Sequence, residues 1–366
     1  MLAIPLRIDN IQLTGYKNYS EAAFQFNERL IGICGNNGKG KTNLLDAIYY
    51  LCFTKSYFTR LENLNIQFQK EGFRLEGVFY SNDTTSNKVV CIYRPGKGKE
   101  IYHNELAYEK FSKHIGKFPA VLIAPNDSAL ITGGSEERRK YLDTLLSQID
   151  NDYLNQLIVY TKLLTERNAL LKSEEAKFET ENLVLQSIDE RLIPVAETLH
   201  RYRTAFCKKL FPRISAFYNQ ISGSDETIQI RYESQLSENL IRNLLKKNLH
   251  RDRLLQRTTA GIHKDDILFE FNSNPFKNIA SQGQRKSLLF ACRLAELEIL
   301  KNEIGINPLL LLDDVFEKLD KKRIRNLLEY ICNQNKSQVF ITDTDSSRLK
   351  EAISELGKII QIIQLD

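Results

Sequence analysis

A chain of 366 residues, 27% of them charged and 42% hydrophobic, is long enough for about two domains or for one large domain with an insertion. Its 16 tyrosines and 19 phenylalanines argue against a disordered chain, and its six cysteines and five histidines are too dispersed to indicate a disulfide framework or a zinc site. The net charge is a modest +5, no apolar run reaches the ~18 to 20 residues of a membrane helix, and charged residues interrupt the N-terminal apolar stretch that a signal peptide needs, so we expect a cytoplasmic protein with no membrane partner.

The first 125 residues are predicted to be rich in β-strands. Apolar residues alternate with polar ones from Leu6 to Phe26, and two alternating stretches around a polar loop predict a hairpin. Short apolar runs predict buried strands at 30–34 and 120–124.

The pattern then changes to helical spacing from Glu136 to about Leu210, and Pro194 is expected to kink one of these helices. Strands are predicted again at 228–232, 267–271, 309–313, 338–342 and 359–365. The fold class is therefore predicted to be α/β, with a discontinuous lobe at 1–125 and 260–366 and an inserted, mainly helical lobe at 126–259.

Positive charge is concentrated in the inserted lobe. Residues 200–257 carry twelve Lys or Arg and five acids, a larger excess than the whole chain has. Such an excess attracts polyanions, nucleic acid above all, although a solvated helical face is an equally good interpretation of composition alone.

The strongest motif is a phosphate-binding loop between a predicted strand and a predicted helix. Its residues match GxxxxGK[ST] and are Gly35, Asn36, Asn37, Gly38, Lys39, Gly40, Lys41 and Thr42. Backbone N–H groups of such a loop and the positive end of the following helix bind phosphate. Lys41 is expected to contact the β- and γ-phosphates of ATP, and Thr42 to bind Mg²⁺.

A second set of predicted site residues follows an apolar strand near the other end of the chain. Asp313 is expected to hold Mg²⁺ through water, and Asp314 to orient the attacking water as a catalytic base. Because this strand lies so far along the chain from Lys41, the intervening segment must form a separate lobe.

A third motif opens an apolar helix. Ser281, Gln282, Gly283 and Gln284 form a donor-rich helix start, suited to the γ-phosphate of a nucleotide bound by a second subunit, as in ABC ATPases. Leu319 and Asp320 are similar to the D-loop that crosses the same interface. Taken alone, the motif favours a capped surface helix with Ser281 as its N-cap. Taken together, these features predict an ATP-dependent homodimer.

These motifs, in this order, resemble the RecF family of ABC-type ATPases in bacterial recombinational repair, over essentially the whole chain. The matching segments are 13–19, 35–49 with Asn43 in its GKTNLL run, 125–143 with Arg138 and Arg139, 261–266, 281–285, 312–315 and 338–342. The segments 138–143 and 261–266 distinguish this family from other ABC or SMC heads.

The resemblance implies a slow, DNA-stimulated ATPase that takes part in DNA replication, recombination, repair and the SOS response to damage. It implies ATP and Mg²⁺ as cofactors, and an ATP-closed dimer on gapped duplex or single-stranded/duplex junctions. It further implies that RecR and RecO are partners in loading RecA on single-stranded DNA. The basic segment 200–257 is the candidate DNA contact, through the backbone.

Some residues depart from the family pattern or have open roles. Phe58 replaces a usual arginine, and Ile262 and Lys264 replace proline and arginine. His263 is expected to be structural, with the following two aspartates as partners. Arg138 and Arg139, at a helix start, are expected to face a phosphate or a partner. The turn 342–345 fits either a γ-phosphate sensor or an Asx-type turn.

The sequence is also compatible with two other functions. One is an SMC-like or overcoming-lysogenization-defect-like ATPase head, against which stand the missing long heptad arms and the missing appended acidic cluster. The other is a scaffold that binds ATP without turnover and recruits repair partners.

Overall fold

The structure is a computed structural model that describes residues 3–81, 85–173, 183–223, 227–314 and 321–366. It divides into two compact units. The first comprises Met1–Asp127, Phe217–Ser224 and Gln282–Asp366, and the second comprises Ser128–Ala216 and Asp225–Ser281.

The strands are, in chain order, β1 (Ile4–Tyr16), β2 (Tyr19–Gln25), β3 (Leu30–Cys34), β4 (Phe73–Ser81), β5 (Ser86–Arg94), β6 (Gly98–His103), β7 (Leu106–Ala107), β8 (Ala120–Ile123), β9 (Ile228–Glu233), β10 (Asp266–Phe271), β11 (Asn274–Pro275), β12 (Ile306–Asn307), β13 (Leu309–Leu312), β14 (Val339–Asp343) and β15 (Gln361–Gln364). The α-helices are α1 (Lys41–Phe53), α2 (Ala129–Thr132), α3 (Ser135–Ile149), α4 (Asn151–Lys172), α5 (Leu183–Ser222), α6 (Ile241–Leu255), α7 (Phe276–Ile279), α8 (Gln282–Ile304), α9 (Lys321–Glu329) and α10 (Ser346–Ser354).

The first unit contains two sheets. One is seven-stranded and mostly antiparallel, in the order β12-β1-β4-β5-β6-β7 with β2 also paired to β1. The predicted hairpin is its β4–β5 pair, with Phe73 opposite Tyr93. The alternating apolar residues of β1 face a buried core that includes Leu13 and Leu45, which is the physical reason for their period of two.

The other sheet is five-stranded and parallel, in the order β15-β3-β14-β13-β8. Every residue of β3, β13 and β14 is buried, as expected for a parallel sheet covered on both faces, so these strands are short apolar runs without alternation. Because the strands are parallel, the carboxyl ends of β3, β13 and β14 lie side by side at one edge, where open α/β sheets bind ligands.

The second unit is mainly helical, with a small antiparallel sheet in the order β11-β10-β9. The predicted helical stretch is confirmed as α3, α4 and α5. Helix α5 continues through Pro194 and also contains Pro212.

The limits of the compact units differ from the predicted lobe limits at 125/126 and 259/260. The segment 260–281 clusters with the second unit because β10 pairs with β9, with Phe271 opposite Ile228. The segment 217–224, at the end of α5, clusters with the first unit. The sequence pattern predicted β9 and β10 as strands but did not indicate that they pair with each other.

Three sequence assignments fall partly or wholly beyond the described residues. The D-loop residues Leu319 and Asp320 lie outside them, as do position 315 and positions 224–226 of the basic segment. Among the described residues, none of the helices combines the length and hydropathy needed to cross a lipid bilayer.

Candidate functional site

The phosphate-binding loop lies where sequence predicted it, between β3 and α1. Gly38 and Gly40 have φ angles of 83° and 100°, a region that disfavours other residues. At Gly40 a Cβ atom would also lie 2.5 Å from Nδ2 of Asn18. The loop therefore needs glycine there, and it brings backbone N–H groups to the start of α1, which suits them to phosphate.

The crest of the loop, from Asn36 to Lys39, is exposed, and Lys41 behind it is buried. Its ammonium group donates to the carbonyl oxygens of Gly35 (2.7 Å) and Asn36 (3.2 Å). These neutral acceptors hold the cation against the loop without neutralising it. The charge of Lys41 is therefore available to an anion.

Asp313, which follows β13, is brought beside Thr42. The Thr42 hydroxyl oxygen lies 3.0 Å from each carboxylate oxygen of Asp313, and the hydroxyl of Thr342 donates to Oδ1 at 2.9 Å. Burial raises the pKa of Asp313 to about 6, and hydrogen bonds from Thr342 and Thr42 oppose that rise. A carboxylate and hydroxyls in this arrangement are oxygen ligands of the type that Mg²⁺ prefers.

Asp314 lies next to this group in a left-handed conformation with φ of 45°. Its backbone N–H donates to the Thr342 hydroxyl at 2.8 Å, so Thr342 connects both acids. Strained backbone at a site residue is often part of the mechanism. The predicted turn at 342–345 thus places one of its residues, Thr342, against the predicted metal ligand.

Sequence reasoning missed the residues that support the loop from the β1–β2 turn. Asn18 donates to the carbonyl oxygen of Lys39 (3.3 Å) and accepts from the side-chain amide of Asn43 (2.7 Å), and the Tyr19 hydroxyl donates to the carbonyl oxygen of Gly40 (3.0 Å). In the sequence, the segment 13–19 shows only a family resemblance, and nothing in its local pattern indicates that it contacts the loop.

A buried network connects α1 with α8. Asp46, one turn after Thr42, accepts from the Ser56 hydroxyl and from the backbone N–H of Tyr57, both at 2.7 Å. The Tyr57 hydroxyl donates to Asp127, and Arg293 of α8 donates to both at 2.9 Å. The helix that begins at the phosphate loop and the helix that begins at the third motif are thus joined by hydrogen bonds.

Phe58, one of the departures from the family pattern, is half-buried beside this network. The ammonium group of Lys17 lies 5.5 Å from the centre of its ring and 2.5 Å from Oδ2 of Asp46. An aromatic face attracts a cation at this distance. Phe58 therefore contributes to holding Lys17 against Asp46.

The third motif lies at the start of α8. Ser281 and Gln282 are exposed, and Gly283 and Gln284 are partly exposed. A Cβ at Gly283 would lie 2.6 Å from a guanidinium nitrogen of Arg323, so the guanidinium packs on the glycine. The expected contact of these four residues with a nucleotide on another subunit stays a prediction.

Two expectations for the second unit are wrong. Arg138 does not face a phosphate: it is buried and donates two hydrogen bonds to Asp266, at 2.6 and 2.9 Å. Arg203, counted in the basic segment as a DNA contact, is 2% exposed and pairs with Asp143 and Asp265. Both arginines are held inside the unit because carboxylates there need a cation as partner. Amino-acid composition cannot show which arginines are buried.

His263 is structural, as expected, but its predicted partners are wrong. Its ring nitrogens contact the hydroxyl of Tyr160 (2.7 Å) and the carbonyl oxygen of Thr258 (3.0 Å), and not Asp265 or Asp266. Burial lowers the pKa of His263 to about 4. The neutral ring, donating from Nε2 to Thr258, therefore fits this environment.

The fold and site define an ABC-type ATPase head. A family model for the RecF/RecN/SMC N-terminal domain matches residues 7–364. The Smc head domain of Pyrococcus furiosus, solved with the C-terminal domain of ScpA, has a TM-score of 0.56 at 15% identity, covering 99% of this chain and 94% of that chain, and so shares the fold.

Closer similarity narrows the class to one family. The DNA replication and repair protein RecF of Flavobacterium johnsoniae is 40% identical over 98% of this chain and 100% of its own length, and that of Bacteroides thetaiotaomicron is 36% identical over 98% and 96%. A solved RecF-ATP structure, described as a recombination mediator in the RecFOR pathway, has a TM-score of 0.86 at 30% identity, covering 94% of each chain. The chain belongs to the RecF family. The SMC-like alternative is disfavoured by comparison, because that likeness is weaker in both sequence and fold.

Proposed function

We propose that this protein is an ATP-binding, DNA-binding protein of replication and recombinational repair that hydrolyses ATP slowly. The observation that carries the proposal is the convergence of Lys41, Thr42, Asp313 and Asp314, from opposite ends of the chain, at one edge of the parallel sheet. The names of the RecF relatives support the repair context.

Each group at this edge suits one part of phosphoryl transfer. The backbone N–H groups from Gly35 to Gly40 and the ammonium group of Lys41 bind phosphate oxygens. Thr42 and Asp313 would hold Mg²⁺, which when bound neutralises negative charge on the phosphates. Asp314 accepts a hydrogen bond from the attacking water and orients it. Because an aspartate reaches less far than a glutamate, we expect slow turnover, suited to a switch.

The active form that we propose is an ATP-closed homodimer. In it, Ser281, Gln282, Gly283 and Gln284 of one subunit bind the γ-phosphate held by the other. The exposed, donor-rich start of α8 supports this role. The buried network through Asp127 and Arg293 offers a physical connection from α1 to that helix.

The first unit, which contains the phosphate-binding loop and most of the proposed ATPase lobe at 1–125 and 260–366, then serves in ATP binding and hydrolysis, and the basic lobe at 126–259 binds DNA. The DNA is gapped duplex or a single-stranded/duplex junction, bound through its backbone and stimulating turnover. RecR and RecO are the proposed protein partners, in the cytoplasm, because the solved relative is described as a mediator in the RecFOR pathway.

The test compares Lys41→Ala with Asp314→Asn. Binding of fluorescent ATP and release of phosphate are measured with and without gapped DNA. We expect Lys41→Ala to lose ATP affinity, and Asp314→Asn to keep that affinity but to lose turnover by roughly 10²- to 10⁴-fold. Equal behaviour of wild type and Asp314→Asn in DNA-dependent cycling would contradict the proposal and favour the ATP-binding scaffold.

A further inference from the structure

Four cations lie together in the second unit around the family segment 261–266. They are Arg139 of α3, Arg251 near the C-terminal end of α6, Arg257 just beyond α6, and Lys264. The Arg139 guanidinium donates to the backbone carbonyl oxygen of Asp265 at 2.6 Å, which fixes it beside Lys264. Arg251, Arg257 and Lys264 are exposed. We call these four residues the Lys264 cluster.

The carboxylates close to the cluster are already engaged by other arginines. Asp265 pairs with Arg203 at 2.9 Å, and Asp266 with Arg138 at 2.6 Å. The third carboxylate near the cluster, that of Asp252, also pairs with an arginine.

That third acid, Asp252, is fully buried. It pairs with Arg167 at 2.7 Å and accepts two hydrogen bonds from Thr259. As a result, no ion pair joins the Lys264 cluster to a carboxylate within the part of the chain that the structure describes. Asp252, Asp265 and Asp266 therefore do not neutralise the cations of the Lys264 cluster.

The other cations of the cluster repel the positive charge on Lys264. Partial burial, and then the nearby charges of Arg257, Arg139 and Arg251, lower its pKa below the ordinary value, with Asp252 opposing. The negative end of α6 offsets roughly half a charge. Four cations held together in this way attract an anion from outside the chain.

We propose that the Lys264 cluster is a binding site for backbone phosphates of DNA. The proposal rests on the DNA-binding function proposed above and gives it a surface. Arginine favours phosphate because its planar guanidinium donates two parallel hydrogen bonds, and the fixed position of Arg139 reduces the entropy lost on binding. The cluster also explains the 261–266 segment: Asp265 and Asp266 hold buried arginines, while Lys264, which precedes them, faces the phosphates.

The test uses the full-length protein, Mg-ATP and a fluorescein-labelled duplex with a gap. DNA affinity is measured by anisotropy at several salt concentrations for wild type and for Arg257→Gln/Lys264→Gln. Loss of two phosphate contacts should reduce the slope of log affinity against log salt by about 1.8, and should weaken binding by roughly tenfold per contact near 0.1 M salt.

Two variants serve as matched controls. Arg94→Gln/Lys97→Gln removes two exposed cations from the first unit and should leave the slope unchanged. Arg257→Lys/Lys264→Arg keeps both charges and should restore the wild-type slope. An unchanged urea-unfolding midpoint and ATP affinity in the Gln variant would show that it is folded.

Three results would overturn the proposal. A wild-type slope in the Gln variant would remove the cluster from the DNA interface while leaving DNA binding by the protein intact. Polyglutamate serves as a second probe. If the Gln variant lost binding to polyglutamate but bound DNA as wild type does, the partner of the cluster would be an acidic protein. No salt-dependent DNA binding by the wild-type protein itself would contradict the proposed function, and the cluster assignment with it.

Discussion

Carboxylates of the second unit and the carboxylate at the nucleotide site of the first unit are held in opposite ways. In the second unit Asp143, Asp252 and Asp265 each pair with a buried arginine. In the first unit Asp313 is held by the neutral hydroxyls of Thr42 and Thr342, while Lys41 donates to backbone carbonyls.

The difference shows which buried charges serve the fold and which serve a ligand. A buried pair of opposite charges is complete and contributes to structure alone. At the nucleotide site the opposite charges are each held by neutral groups, so both stay available to phosphate and metal. Burial raises the pKa of Asp313 to about 6, and the hydrogen bonds from Thr342 and Thr42 oppose that rise.

The largest expected effect on stability comes from breaking a completed pair. Arg203→Met would leave the buried Asp265 and the half-buried Asp143 without their cation, so the free energy of unfolding should fall by about 3–5 kcal/mol. Urea unfolding measures this, with Arg231→Met as the matched control because Arg231 pairs with Glu270 on the exposed surface. Equal stability of the two variants would contradict the structural role of Arg203.

At the nucleotide site, replacement of a buried cation by methionine should reduce the affinity for ATP and not the stability of the fold. Lys41→Met removes a cation whose hydrogen bonds within the described residues go to loop carbonyls, so we expect ATP affinity to fall about 10²-fold, from hydrogen bonds to charged groups worth about 1.5–3 kcal/mol each. Unfolding in the absence of nucleotide should change little. Titration with fluorescent ATP measures the affinity, and Lys39→Met on the exposed crest should have a much smaller effect.

Asp313→Asn tests whether the acid is held for a ligand. The folded pKa of about 6 lies above the unfolded value, so Asp313 contributes most to stability in acid and that contribution is lost as the pH rises from about 4 to 6. At pH 7.5 the Asn variant should therefore be as stable as wild type, or more stable by up to about 3 kcal/mol. It should lose the Mg²⁺ dependence of ATP binding. A clear loss of stability in urea would show that Asp313 is structural.

The smallest effect is a pH dependence that both units share. Burial lowers the pKa of His114 in the first unit and of His263 in the second to about 4. Both rings are neutral in the folded chain and gain a proton on unfolding, so stability is lost as the pH falls from about 6.5 to 4. At pH 5.5 each contributes about 1.4 kcal/mol to that loss.

Thermal unfolding of His114→Gln and His263→Gln at pH 7.5 and 5.5 measures each contribution. Each variant should lose less stability between the two pH values than wild type does. The same pH dependence in a variant and in wild type would show that the replaced histidine is not held neutral.

Sequence predicted where the phosphate-binding loop and the two acids lie in the fold, because these motifs are encoded locally. The run from Gly35 to Thr42 and the two acids after β13 each have a recognisable motif, and parallel pairing brings strand ends together. The residues that sequence did not assign correctly depend on tertiary partners. Arg138 and Arg203 looked like free cations because nothing in their local sequence shows that Asp266 and Asp265 reach them. Asn18 was missed as a support residue for the same reason, and the turn 342–345 did not show that Thr342 contacts Asp313.

The most direct test of the account is sedimentation velocity of the full chain with fluorescent gapped duplex DNA, with and without Mg-ATP. We expect the wild-type protein to double its mass and to sediment with DNA only when Mg-ATP is present, and Lys41→Met to remain a monomer. Asp314→Asn should stay dimeric on DNA after wild type has released it. A wild-type protein that stays monomeric with ATP and DNA would contradict the role of Ser281, Gln282, Gly283 and Gln284 across a subunit interface, and with it the ATP-closed clamp.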